Sequence, residues 1–238
     1  MVGAGSIWPD GLSTYEPNEI YLRFGVCDHD LNKINDFSKA LPALILAGPS
    51  GMAVSTGGRP RAQGVVAYWP ALIRRDHCSA KVLVIGTDGR EDFREILFPM
   101  REGTGDPVFS DEPKAPRTAR KHKGVLKEVS LRQLCYARSG DKGDMCNIGL
   151  LARTPLVYDW ILENITARVV KNFFKGKVLG KVTRYELDNL QGLNFLMDGA
   201  LGGGGTTSLL VDPQGKTMSQ ALLELKVQVP SSVLKGLS

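Results

Sequence analysis

Two carboxylates, two cations and two glycines fall within seven residues at Arg138-Ser139-Gly140-Asp141-Lys142-Gly143-Asp144. The glycines permit left-handed backbone geometry, so successive N–H groups can converge on one anion. Arg138 and Lys142 add positive charge for a phosphate or carboxylate, and Ser139 adds a hydroxyl. Asp141 and Asp144 suit a different chemistry, holding a divalent cation or acting as acid and base. The plain alternative is a solvated turn whose charges pair with each other. Asn147 lies just beyond, placed either to orient a ligand or to satisfy backbone groups at a sheet edge.

A second candidate is Gly202-Gly203-Gly204-Gly205 followed by Thr206. Four consecutive glycines cost backbone entropy, which suggests close approach by a ligand or another chain segment. Flexible connection is the competing reading. The run has neither the GxxxxGK spacing of a P-loop nor the GxGxxG of a dinucleotide turn. A third candidate is Gly57-Gly58-Arg59-Pro60-Arg61, where Arg59 and Arg61 can grip a carboxylate or phosphate, or the loop can simply pack between domains.

Other chemistry has little support in the residues. His29, His77 and His122 sit in unrelated contexts, with His122 expected in solvent. No HExxH, GxSxG or zinc-type cysteine spacing occurs. Cys27, Cys78, Cys135 and Cys146 read as reduced thiols of a cytoplasmic protein. Cys135 and Cys146 flank an expected hairpin, as two small buried residues or as a redox pair. No cofactor is evident beyond a divalent metal at Asp141 and Asp144.

The elements that must position these residues show in the periodicity. Strands are expected at Leu131–Arg138 and Met145–Ala152, joined by Ser139–Asp144. Thr154-Pro155 opens a helix carrying Val157, Ile161, Ile165, Val169 and Phe173 on one face. Val178–Leu187 reads as a strand, and a short helix with Leu190, Leu193 and Met197 follows. Thr206–Val211 and Leu223–Val229 complete the strands. The order is β-β-α-β-α-β-β, an α+β two-layer sandwich of ferredoxin-like type. Upstream, Glu19–Cys27, Val65–Ile73 and Lys81–Ile85 read as strands. A helix capped by Asp28 or Asp30 carries Leu31, Ile34, Phe37 and Leu41. Gly86–Asp111 is polar and turn-rich.

Three motifs carry a family resemblance. Cys135–Arg153 (CYARSGDKGDMCNIGLLAR), Tyr185–Gly205 (YELDNLQGLNFLMDGALGGGG) and Gly215–Leu222 (GKTMSQAL) resemble the small C-terminal domain of AtuA-type acyclic terpene utilisation proteins. Gly57–Trp69 (GGRPRAQGVVAYW) resembles the closing part of that family's large first domain. The resemblance implies a place in degradation of citronellol- or geraniol-type isoprenoids through acyl-CoA intermediates, without a settled reaction. Family members carry a longer region before the Gly57–Trp69 motif, so a truncated form is expected here.

The expected layout is a remnant of the large domain over residues 1–111 and a basic linker over 112–127. A ferredoxin-like domain follows over 128–230, then a tail over 231–238. The linker holds six Lys and Arg, two Pro and no aromatic residue. It reads as a solvated connection rather than a nucleic-acid tail, because no stacking residues are interleaved. The whole chain has 238 residues, 42% hydrophobic, with a net charge of +5. Only Tyr136 and Tyr185 offer aromatics in the expected C-terminal strands, which disfavours an RNA-recognition sheet. No apolar run approaches a membrane span. The expected partners are an acyl-CoA or organic-acid ligand and a second copy of the chain, with no nucleic acid and no membrane. Enzyme and non-catalytic binding or oligomerisation module both stay open.

Overall fold

The computed structural model describes residues 5–9, 17–54, 58–67, 71–97 and 122–237. The linker up to residue 121, and residues 98–111 of the expected turn-rich stretch, lie outside them. The chain divides into two compact units, residues 1–68 with 119–238, and residues 69–118.

The first unit holds an antiparallel four-stranded sheet in the order β4-β5-β7-β6. These strands are β4 (Cys135–Lys142), β5 (Met145–Ala152), β6 (Val182–Leu187) and β7 (Gly192–Met197). Successive side chains on a strand point to opposite faces. One face carries Cys146, Ile148 and Leu150 from β5 and Leu193, Phe195 and Met197 from β7, all buried. It packs against α4 (Pro155–Asn164), α5 (Ala167–Phe173) and α6 (Met218–Leu223), which bury Val157, Ile161, Val170 and Leu222. A second antiparallel pair, β3 (Leu126–Ser130) with β8 (Lys226–Pro230), ties the start of the domain to its end. The result is the expected α+β architecture.

Local chemistry explains where the elements break. Ser130 and Gln133 form a reciprocal capping box that starts the short α3 (Leu131–Leu134). Leu131–Arg138 is therefore a helical turn followed by strand, not strand throughout. Thr154 accepts from Val157 N at 3.2 Å with Pro155 in the first turn of α4, as the sequence suggests. Thr166 then accepts from Val169 N at 3.2 Å, so the single expected helix is two. The expected second helix is reduced to one 3-10 turn, Asp188–Leu190, and Gly192–Met197 is strand. Gln191 takes a left-handed conformation at φ 51°, and Leu193, Phe195 and Met197 alternate inward as β7. Thr206–Val211 forms no strand, and the expected last strand holds over β8 but starts at Lys226, because Leu223 is the last residue of α6.

Upstream, α1 (Leu31–Ala40) is capped by Asp30, which accepts from Asn32 N at 2.8 Å. A short α2 (Ala43–Ala47) follows Pro42. Glu19–Cys27 is not strand apart from a single bridge at Tyr21, and the described part of Val65–Ile73 is not strand either. In the second unit, β1 (Ser79–Ile85) pairs antiparallel with β2 (Glu91–Leu97), an element the polar composition of that stretch concealed.

Candidate functional site

The β4–β5 hairpin closes more tightly than the sequence suggests. Lys142 pairs with Met145, so only Gly143 and Asp144 make the turn. Gly143 at φ 67° supplies the positive φ a two-residue hairpin needs at its first central position. Ser139–Lys142 are therefore strand, and strand alternation splits the candidate cluster. Ser139 and Asp141 share the helix-covered side with Ala137. Arg138 and Lys142 share the other face with Tyr136 and Gly140.

On the helix side the polar groups are engaged within the fold. Ser139 Oγ donates to the Gly215 carbonyl at 2.5 Å and accepts from Ser219 N at 2.9 Å. Asp141 faces Lys216 Nζ at 3.7 Å. Asp212, a residue the sequence reading did not single out, organises the same corner. Its carboxylate accepts from Lys216 N at 3.0 Å, Thr217 N at 2.8 Å and the Thr217 hydroxyl at 2.6 Å. Gly215 is held at φ 62°, and a methyl group there would stand 2.5 Å from Cys146 Sγ.

The glycine-rich run comes to the hairpin turn. Asp144 Oδ1 accepts from Gly203 N at 2.7 Å, and the Asp144 carbonyl accepts from Ala200 N and Leu201 N. A methyl group on Gly204 would stand 2.9 Å from the Gly143 carbonyl oxygen. The close approach inferred for Gly202–Gly205 is thus made by the hairpin turn itself, with Asp144 as the anion. Gly202, Gly205 and Thr206 are exposed at the rim. Among the described residues no three of His, Cys, Asp and Glu gather as a metal site.

Cys135 and Cys146 are two buried free thiols, one of the two readings offered, while the expectation for His122 changes. Cys135 pairs in register with Ala152, and Cys146 with Asp141. Six residues of strand, about 20 Å, separate the two thiols, so they are no redox pair. Burial instead pushes Cys135 up to about 12 and Cys146 up to about 11. His122 is partly buried, with Nε2 shielded from solvent. Arg59 and Arg61 lie exposed beside Pro60, whose carbonyl accepts from Ser38, and make no hydrogen bond to the hairpin.

The uncovered face of the four-stranded sheet carries the remaining candidates. Reading across the registers, one row is Tyr136, Leu151, Gly192 and Leu187, and the next is Arg138, Gly149, Asn194 and Tyr185. Then come Gly140, Asn147, Leu196 and Thr183, with Lys142 and Met145 at the hairpin end. Asn147 Nδ2 donates to Asn194 Oδ1 at 3.3 Å, bridging the two central strands. Arg153 stacks over the Tyr136 ring at 3.9 Å. Tyr136 is 56% and Tyr185 50% exposed, so no described element covers this face. Its strand residues include two cations and no carboxylate. Asn194, Leu151, Leu187 and Gly149 were not singled out in the sequence; β7 misread as a helix hides the row that contains Asn194.

Two family matches account for most of the chain. Residues 2–84 match the acyclic terpene utilisation family protein AtuA, and residues 129–228 match the AtuA ferredoxin-like domain. No curated protein and no solved structure matches the chain.

Proposed function

As the chain belongs to the acyclic terpene utilisation family AtuA, we propose that it binds an acidic intermediate of isoprenoid breakdown, a branched acyl-CoA or the corresponding carboxylate. The binding surface in this reading is the uncovered sheet face. Arg138 and Lys142 hold the carboxylate or phosphate, and the row of Tyr136, Leu151 and Leu187 carries the hydrocarbon. The observation behind it is the charge pattern: cations stand among apolar and amide side chains with no carboxylate on the strands of that face. Guanidinium is suited to bidentate recognition of such anions.

A binding role is favoured over an acid–base role. Ser139 and Asp144 are tied into hydrogen bonds, and Asp141 pairs with Lys216. A general base must reach a substrate proton directly or through one water. These groups instead hold the hairpin to the glycine-rich loop and α6.

Calorimetry with geranyl-CoA and geranic acid tests the reading. Binding is expected to weaken about tenfold or more in Arg138→Ala, as loss of a charged hydrogen bond costs about 1.5–3 kcal/mol. Lys142→Ala should weaken binding less than Arg138→Ala does, and either loss of a cation should make binding less sensitive to salt. No binding of either compound, or undiminished binding in the double variant, defeats it.

A further inference from the structure

We infer that the outer edge of β1 is the contact between two copies of this chain, joining their hairpins into one four-stranded antiparallel sheet. In the described structure β1 and β2 pair only with each other. An isolated two-stranded hairpin is marginal in water, and its edges offer unpaired N–H and C=O groups.

The two edges are not alike. β2 reads Glu-Asp-Phe-Arg-Glu-Ile-Leu, four charges in seven residues, the usual protection against edge pairing. β1 reads Ser-Ala-Lys-Val-Leu-Val-Ile, with one charge and four consecutive apolar residues. Val82, Leu83, Val84 and Ile85 are between 40% and 64% exposed. The edge without charged protection is therefore the one built to be covered.

A second copy fits that edge by its own symmetry. Gly86 N donates to the Arg90 carbonyl, so alternation of the ladder turns the N–H and C=O groups of Leu83 and Ile85 outward. A two-fold axis at Leu83 then sets Leu83 opposite Leu83 of the second copy, and Val82 opposite its Val84. Lys81 falls opposite Ile85, so the two lysines stay apart. Within each hairpin Leu83 pairs with Phe93, and Lys81 stands opposite Glu95, a residue of opposite charge. The stripe Phe93–Leu83–Leu83–Phe93 would run unbroken across all four strands. Pairing through β2 instead would bring Glu91, Asp92 and Glu95 of both copies to one seam, where like charges repel.

The test uses the full chain with Cys27→Ser and Cys78→Ser, which removes the exposed thiols. Equilibrium sedimentation is expected to show a dimer, and Leu83→Cys should oxidise to a disulfide-linked dimer, since directly paired strand residues lie within disulfide reach. Phe93→Cys on the same background should crosslink at least tenfold more slowly. Leu83→Lys, at an exposed position that leaves the first unit's core untouched, should yield monomer in which the first unit's cooperative unfolding is retained. A monomer at about 100 µM, a dimer that survives Leu83→Lys, or equal crosslinking at Phe93 overturns the inference. None of these outcomes touches the ligand reading, which rests on a different sheet.

Discussion

At the scale of single residues, the glycine-rich run separates space from conformation. Gly204 has φ 91° and almost no room, because a methyl group would sit against the Gly143 carbonyl. Gly205 has no positive φ, and the nearest atom to an added methyl group is a side-chain carbon of Gln214 at 3.9 Å. Left-handed strain costs about 1–3 kcal/mol, and backbone cannot yield as a flexible side chain can. Gly204→Ala should therefore lower the unfolding free energy from urea titration by about 1–3 kcal/mol, while Gly205→Ala changes it by no more than about 0.5 kcal/mol. Equal losses would mean that the hairpin turn does not set the requirement for glycine at Gly204. The same residues show why composition alone misplaces the site. Four glycines announce a close approach, but not that Asp144 of the same chain makes it.

At the scale of elements, caps decide the helices. Thr154 and Thr166 each hold the N–H three residues on at 3.2 Å. Replacing either by alanine should cost about 1 kcal/mol, and serine in the same place should restore most of it. Urea titration of the four variants checks this; a silent Thr166→Ala would mean that α4 and α5 behave as one helix. Thr154-Pro155 was legible in the sequence because proline at a helix start has one meaning. Thr166 was not, since threonine inside an apolar four-residue repeat reads as one more surface position. The β4–β5 pair was legible from its two apolar runs, but its turn was placed too wide, because a polar strand end looks like loop. Leu193 and Met197 fit a helical stripe and a strand face equally well, and only Phe195 between them decides for the strand. The open-face neighbours of Arg138 follow from that register, which no local pattern encodes.

At the scale of the whole molecule, two thiols link protonation to folding. Cys135 and Cys146 are buried at opposite ends of the hairpin, and removal from water raises both, to about 12 and about 11, from an ordinary value of 9.0. Arg153 opposes the shift at Cys135, while the Gly140 backbone opposes it at Cys146, and burial outweighs both. The folded state thus keeps protons that the unfolded chain releases. For such groups the stabilisation is complete below the unfolded value near 9 and is lost as pH rises from there toward 11 and 12. Each thiol contributes a slope of up to about 1.4 kcal/mol per pH unit within its window. Thermal unfolding between pH 8 and 11 should show the midpoint falling above pH 9. In a Cys135→Ala/Cys146→Ala variant the starting midpoint should be lower and the decline shallower. A decline of the same steepness in that variant would assign the alkaline loss to other groups. In the native chain burial both shields these two thiols and keeps them protonated, so alkylation near pH 8 should be confined to the exposed Cys27 and Cys78.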